Sequence, residues 1–343
     1  MEKFFPEGRR LLIFKILFGA LFTLLIVFLF HRQFFQYQEF IEQERKQGQR
    51  RIIRPGPRGD VFDRNGKLLI GNKAHFSAKL HIDSIDKEIW KTKKAVINSW
   101  LSIPNSFTAE AFGKMGWDSI TIDMQHGQND YQSSISMLQA LSNSNSVPMV
   151  RVPWSEPGII MKMLDLGVMG IIAPMINTKE DCENFVSYCY YPPIGQRSFG
   201  PMRAQLIYGQ DYFNKANENV MSFAMIETKQ AIENLDEIMS VPNLTGVYIG
   251  PADMSSSYGL PPKFDVREDP VFSNIKLIAQ KAKDYGKIAG IHNGTTDYAK
   301  EMIELGYKLV TILSDFRVMS SNSQKIVDEM KNQSSDKSTS SSY

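Results

Sequence analysis

Residues 119–152 read SITIDMQHGQNDYQSSISMLQALSNSNSVPMVRV. Ser119–Asp123 is a short, β-branched apolar run, and it gives way at once to amides, glycine and aspartate. Tyr131–Leu141 then carries apolar residues at helical spacing, and Met149–Val152 is apolar again. A strand, a helix and a second strand in this order imply parallel pairing, because the chain must cross the sheet to return in the same direction.

The same alternation recurs along most of the chain. Apolar runs predict strands at Ala95–Trp100, Ser119–Asp123, Met149–Val152, Gly170–Pro174, Ser222–Glu227, Gly246–Gly250, Lys287–Ile291 and Lys308–Ser314. Amphipathic stretches predict helices at Tyr131–Leu141, Pro157–Leu166, Lys179–Tyr188, Lys229–Met239, Val271–Tyr285 and Thr296–Leu305. Eight strand–helix units between residues 87 and 331 have the size of an α/β (β/α)₈ TIM barrel, and a doubly wound open sheet is the alternative. The last stretch, 332–343, is almost wholly Ser, Asn, Lys and Asp and is expected to be disordered.

The chain of 343 residues is 43% hydrophobic, enough to bury a core. Its 39 basic against 37 acidic residues leave a net charge of +2, which gives no bulk-charge argument for nucleic acid. Cys182 and Cys189 fall in one predicted helix, too far apart for a disulfide within it and unlike a metal-ligand cluster, and are read as buried thiols.

Leu11 to Phe30, LLIFKILFGALFTLLIVFLF, is apolar but for Lys15. Twenty helical residues at about 1.5 Å each span a bilayer core of roughly 30 Å, so segment 1–33 is expected to hold a single-pass membrane anchor at about 11–30. HRQFF follows it instead of the small residues that a cleaved signal peptide would need. Basic residues flank both ends and give little preference for orientation. Segment 34–86 continues with an expected juxtamembrane helix at 34–49. Then RPGPRGDVFDRNGKLLIGN, residues 54–72, reads as a β-hairpin turning at Asn65-Gly66. Residues 1–83 resemble the anchor region of class B penicillin-binding proteins. S-x-x-K occurs at Ser84–Lys87, Ser273–Lys276 and Ser334–Lys337, but K-T-G is absent, so no transpeptidase domain follows.

In a barrel the chemistry collects at the C-terminal ends of the strands. The first predicted strand ends at Trp100 and the second at Asp123, with His126 just beyond. The third carries Arg151, the fifth ends at Glu227, and the sixth runs into Gly250-Pro251-Ala252-Asp253. Glu227 and Asp253 are two hard oxygen donors from neighbouring strands, suited to Mg²⁺ or Mn²⁺, with Co²⁺ also admitted; the alternative is that each caps the following helix. Arg151 would bind a carboxylate or polarise a carbonyl oxygen, or else pair with a barrel acid. His126 could act as a base oriented by Asp123, as a metal ligand or as an ordinary loop residue. No lysine ends a strand, which disfavours imine chemistry. His292 ends the predicted seventh strand and could also face the mouth.

WLSIPNSFTAEAFGKMGWDSITIDMQHG, VRVPW, PPIGQRSFGP, MIET and YIGPADMS resemble, in that order, motifs of the HpcH/HpaI aldolases, from about residue 91 to 331. The resemblance implies a metal-dependent class II pyruvate aldolase on a TIM barrel, a lyase that reversibly cleaves 4-hydroxy-2-oxo acids to pyruvate and an aldehyde. It implies Glu227 and Asp253 as metal ligands, Arg151 on the developing oxyanion, His126 as acid/base and Asp165 as the acid that raises its basicity. It further implies that Ala252 and Asp253 cradle the pyruvate carboxylate and that Trp100 lines the pocket. Met225 stands where the family often has a substrate-contacting glutamine, and Met124-Gln125-His126-Gly127 replaces glycine-glutamate-histidine-alanine, so the aldehyde preference is expected to differ. The family is usually cytoplasmic and hexameric, which predicts a homo-oligomer acting on a small 2-oxo acid. The alternative function is a membrane-anchored cell-envelope protein whose barrel is a catalytically silent scaffold or binding module.

Overall fold

The computed structural model describes residues 15, 17–25, 28, 61–62, 68–70 and 95–338. The chain divides into two compact units, Met1–Ser77 and Ala78–Tyr343. In the first, residues 15, 17–25 and 28 are helical, and Leu17, Phe18, Leu21 and Leu24 are exposed. Among the described residues no helix is long and apolar enough to cross a membrane, and the rest of the expected span lies outside them. Val61–Phe62 pairs antiparallel with Leu68–Ile70, forming the arms of the expected hairpin. The helix expected at 34–49 lies outside the described residues.

The second unit is a closed parallel barrel of β1 (Val96–Leu101), β2 (Ser119–Asp123), β3 (Val147–Arg151), β4 (Gly170–Ala173), β5 (Met221–Ile226), β6 (Gly246–Ile249), β7 (Ile288–Asn293) and β8 (Leu309–Ile312). Each strand pairs with the next in sequence, and β8 closes on β1 through Leu309↔Val96. An open doubly wound sheet is thereby excluded. Every predicted strand is present, its ends displaced by at most a few residues.

Side chains alternate across each strand, so the barrel has two separate apolar layers. Leu101, Ile120, Ile122, Val150, Ile171, Ala224 and Ile249 face outward into the core shared with the helices. Val96, Val147, Met149, Ile172, Met221, Phe223 and Leu309 fill the interior. One polar knot crosses that interior. Asn98 accepts from Ser119 and Thr121 and donates to Thr311, and Tyr248 also donates to Thr311 at 2.7 Å. Every side chain in it has a partner, which is what makes a buried polar group tolerable.

The outer ring begins with α1 (Ser106–Gly113), α2 (Tyr131–Leu141), α3 (Pro157–Asp165) and α4 (Lys179–Cys189). Cys182 and Cys189 are free thiols buried on α4, and burial pushes the Cys182 thiol up to about 12. Two short helices, α5 (Met202–Tyr208) and α6 (Tyr212–Asn219), precede β5 in a stretch with no predicted helix. The helix predicted over Lys229–Met239 is broken at Asn234 into α7 (Lys229–Glu233) and α8 (Leu235–Met239). The Asn234 side chain donates to the Asn177 carbonyl, giving the chain a local alternative to helix continuation. The ring closes with α9 (Pro251–Ser257), α10 (Val271–Asp284), α11 (Thr296–Leu305) and α12 (Asp315–Ser338).

Helix α12 runs to Ser338, past residue 332 where the polar C-terminal stretch begins. No glycine or proline interrupts residues 315–338, and extending an existing helix by polar residues costs little once it is nucleated. Residues 339–343 lie outside the described residues.

Candidate active site

The inward positions nearest the C-terminal ends of the strands are Trp100, Asp123, Arg151, Met225, Tyr248 and His292. All six line one cavity of about 420 Å³. Loops after the strands add His126, Gly250, Ala252, Asp253 and Phe264, and the start of α12 adds Phe316 and Arg317.

Asp123 and Arg151 are register partners across β2 and β3. Arg151 donates from Nε and Nη2 to the two Asp123 oxygens at 2.8 and 2.7 Å, and its guanidinium lies 4.8 Å from the centre of the Trp100 ring. Burial alone would raise the Asp123 carboxyl, but the hydrogen bonds and charge of Arg151 hold it below the usual range. Asp123 also accepts from the backbone N–H groups of Gln125 and His126 at 3.1 and 3.3 Å. Its contact with His126 is therefore through the backbone: it shapes the loop that presents the imidazole and fixes the fork of Arg151. Gly127 is required by that loop, since a Cβ there would stand 2.3 Å from the Asp123 carbonyl oxygen. His126 itself is exposed at the mouth.

Glu227 is buried at the end of β5. Its Oε1 accepts from Met175 N–H at 2.7 Å, where Met175 takes a left-handed backbone with φ 56°. Its Oε2 has no partner among the described residues. Burial pushes the Glu227 carboxyl up to about 7, with the charge of Asp253 adding to the rise and the Met175 N–H and Arg151 opposing it. Asp253 comes from the next strand, in the first turn of α9. The two carboxylates close around Gly250, where a Cβ would stand 2.7 Å from Glu227 Oε2 and 3.6 Å from Asp253 Oδ2.

An orphaned carboxylate oxygen in a pocket kept open by glycine is suited to a divalent cation, whose remaining positions water and substrate can fill. Among the described residues no group of three or more His, Cys, Asp or Glu is set to hold a metal. Among the described residues the gap is flanked by the carboxylates of Glu227 and Asp253. Both also begin a helix or a turn, but the unpartnered Oε2 of Glu227 is not explained by capping.

Asp165 is placed elsewhere. It ends α3, does not line the cavity, and accepts from Arg197 Nη2 at 2.8 Å. Arg197 is buried, packs over the Tyr191 ring at 4.3 Å and donates to Tyr212 at 3.2 Å. In this chain the carboxylate of Asp165 anchors a buried guanidinium, and the residue beside His126 in the loop is Asp123.

Residues 97–320 match the HpcH/HpaI aldolase/citrate lyase family. The chain belongs to this family. It is 37% identical over 238 residues to the hydroxypyruvate/pyruvate aldolase of Rhizorhabdus wittichii, covering 69% of this chain and 95% of that protein. It is 32% identical over 241 residues to the 5-keto-4-deoxy-D-glucarate aldolase of Escherichia coli, covering 70% and 93%. Among solved structures, an HpcH/HpaI aldolase/citrate lyase family protein from Burkholderia cenocepacia matches with a TM-score of 0.67 at 28% identity, over 71% of this chain and 98% of that one. Macrophomate synthase, with a TM-score of 0.67 at 22% identity over 76% and 93% of the two chains, shares the fold. The family match begins at residue 97 and does not bear on the N-terminal resemblance.

Several lining residues escaped the sequence reading. Tyr248 lies two residues beyond Gly246 on the inward face of β6, so strict alternation finds it. Phe264 sits in a loop with no periodicity to mark it, and Phe316 and Arg317 follow β8 in what reads only as the start of a helix. His292 does line the cavity, as its strand-end position suggested.

Proposed function

We propose that this protein is a divalent-metal-dependent aldolase that cleaves a 4-hydroxy-2-oxo acid reversibly to pyruvate and an aldehyde. The observation that carries the reading is Glu227 Oε2, partnerless among the described residues, which lies behind Gly250 against the wall of the cavity that Asp253, Arg151 and His126 line. Four polar groups converging there have no use in a silent scaffold.

Glu227 and Asp253 would hold the cation, most simply Mg²⁺ or Mn²⁺, which when bound supplies Lewis-acid polarisation of the 2-oxo group. Arg151, fixed by Asp123, presents hydrogen bonds where negative charge develops on that oxygen. The first-turn N–H groups of Ala252 and Asp253 have no acceptor within α9 and are free to take the substrate carboxylate. Trp100 and Met225 form the walls against which the three-carbon unit packs. His126 takes the proton from the C4 hydroxyl as the C3–C4 bond breaks, the aldehyde departs, and a proton returned to C3 completes pyruvate. The role of Asp165 in tuning His126 would have to act at a distance from the cavity, through the Arg197 segment.

The deciding experiment is release of pyruvate from a 4-hydroxy-2-oxo acid, stimulated by Mg²⁺ or Mn²⁺ and abolished in Glu227→Ala. No pyruvate with any such substrate and metal would sink the reading. The same reading includes a membrane anchor at 11–30, supported by the exposed apolar side chains of residues 17–25, and fractionation of the full chain with membranes tests it. It includes a homo-oligomer, supported by the exposed Phe199, Met202 and Leu206, which light scattering tests.

A further inference from the structure

The far wall of the cavity carries a cation that the proposed chemistry does not use. Arg317 lines the mouth from the first turn of α12, three strands round the barrel from Glu227. Its guanidinium lies 4.7 Å from the centre of the Phe264 ring, and among the described residues it is paired with no carboxylate. The nearest acid in sequence, Asp315, is already taken up by the N–H groups of Ser102, Ile103 and Phe316. A positive charge in the first turn of a helix works against the helix dipole, so this arginine is not there to stabilise α12.

His292 stands beside it. The imidazole stacks on Phe264 with ring centres 4.9 Å apart and meets Trp100 edge-on at 5.1 Å. Its Nδ1 lies 3.4 Å from Tyr248 Oη, whose own proton goes to Thr311, which favours the tautomer in which Nδ1–H donates to the tyrosine and Nε2 can accept. Burial, with Arg151 second, pushes the imidazole down to about 3, and it stays neutral. The outer wall therefore offers one cation on an aromatic shelf with one hydroxyl acceptor next to it.

We propose that Arg317 selects aldehyde partners that end in an anion, a carboxylate or a phosphate, with His292 accepting a hydroxyl on the carbon chain between. The proposal rests on the aldolase reading above, since it assigns the end of the substrate that departs as aldehyde. Arg151 is already committed, because Asp123 takes its Nε and one Nη2 donor and the reading above assigns its remaining N–H groups to the developing oxyanion. Among the described residues the Arg317 guanidinium contacts the Phe264 ring and no hydrogen-bond acceptor, so its donors remain for the substrate.

The test uses the full-length protein with Mg²⁺ or Mn²⁺ and pyruvate, in aldol addition to two matched pairs: 4-oxobutanoate against butanal, and glyceraldehyde 3-phosphate against glyceraldehyde. The wild type is expected to prefer the anionic member of at least one pair, and which pair tells carboxylate from phosphate. Arg317→Met should lower kcat/KM for that anion by about tenfold or more, mainly through KM, the size expected for one charged hydrogen bond. The neutral partner should change much less, and Arg317→Lys should recover most of the preference. Equal losses for both members, or no loss for either, overturn the assignment. Deuterium exchange into the methyl group of pyruvate, measured in the wild type without aldehyde, separates the two claims. Exchange without anion preference removes Arg317 alone, whereas neither exchange nor addition removes the aldolase reading and this inference with it.

Discussion

Asp123 and Arg151 are partners in strand register and partners again through their side chains, with both carboxylate oxygens engaged at 2.8 and 2.7 Å. The pair is almost wholly buried, so removing one member leaves the other as an uncompensated charge. Asp123→Ala is expected to cost about 3–5 kcal/mol in urea unfolding, and Asp123→Asn less. The pH dependence follows from the depressed folded value of Asp123. Its contribution is fully present above the unfolded value of about 3.9 and is lost as pH falls through the lower folded value. The acid limb that it contributes therefore lies below about pH 4 and disappears in Asp123→Asn. A limb unchanged by that substitution would show that the pair does not carry it.

Glu227 titrates in the opposite sense. Its folded value is pushed up to about 7, above the unfolded value of about 4.3, so the folded protein holds a proton that the unfolded chain has released. Without metal, stability falls as pH rises through that window and is flat above it. A cation bound by the ionised carboxylate relieves the cost. Added Mg²⁺ or Mn²⁺ should thus raise Tm by several degrees near pH 8 and little near pH 5, with EDTA reversing the gain. Glu227→Gln should flatten both the pH trend and the metal response. Equal stabilisation by metal at both pH values would place the cation elsewhere.

Most of this site could be read from strand ends, because alternation of side chains is a rigid property of a strand. Asp123, Arg151 and Glu227 each close an apolar run, and a parallel barrel brings all such ends to one face. What could not be read was the pairing of side chains once there. Asp165 and Arg197 are 32 residues apart and meet only through the packing of the segment before α5, which no local pattern encodes. Phe264 and Arg317 belong to loop and helix-start positions whose direction depends on the whole mouth.

His126 is exposed and holds no structural contact through its ring among the described hydrogen bonds, so its removal should leave folding intact. His126→Ala is expected to lower kcat for retro-aldol cleavage by about 10²–10⁴, with little change in Tm. His126→Gln keeps a hydrogen bond but not the proton transfer and should be nearly as slow. A Gln variant close to wild type would assign the residue to positioning and not to acid–base work.

Gly250→Ala offers a finer probe of the metal gap than removing a ligand. The backbone at Gly250 has φ −97°, which alanine adopts without strain, so the fold has no reason to fail. The added Cβ would stand 2.7 Å from Glu227 Oε2 and 3.1 Å from the Met225 methyl, both at the ends of flexible side chains. Those ends can swing away at small cost to stability, but the carboxylate cannot do so and keep its place opposite Asp253. Metal affinity, measured by calorimetric titration of Mn²⁺, is therefore expected to fall at least tenfold while the metal-free Tm changes by no more than a few degrees. If Gly250→Ala binds Mn²⁺ as the wild type does, the gap between Glu227 and Asp253 is not where the cation sits.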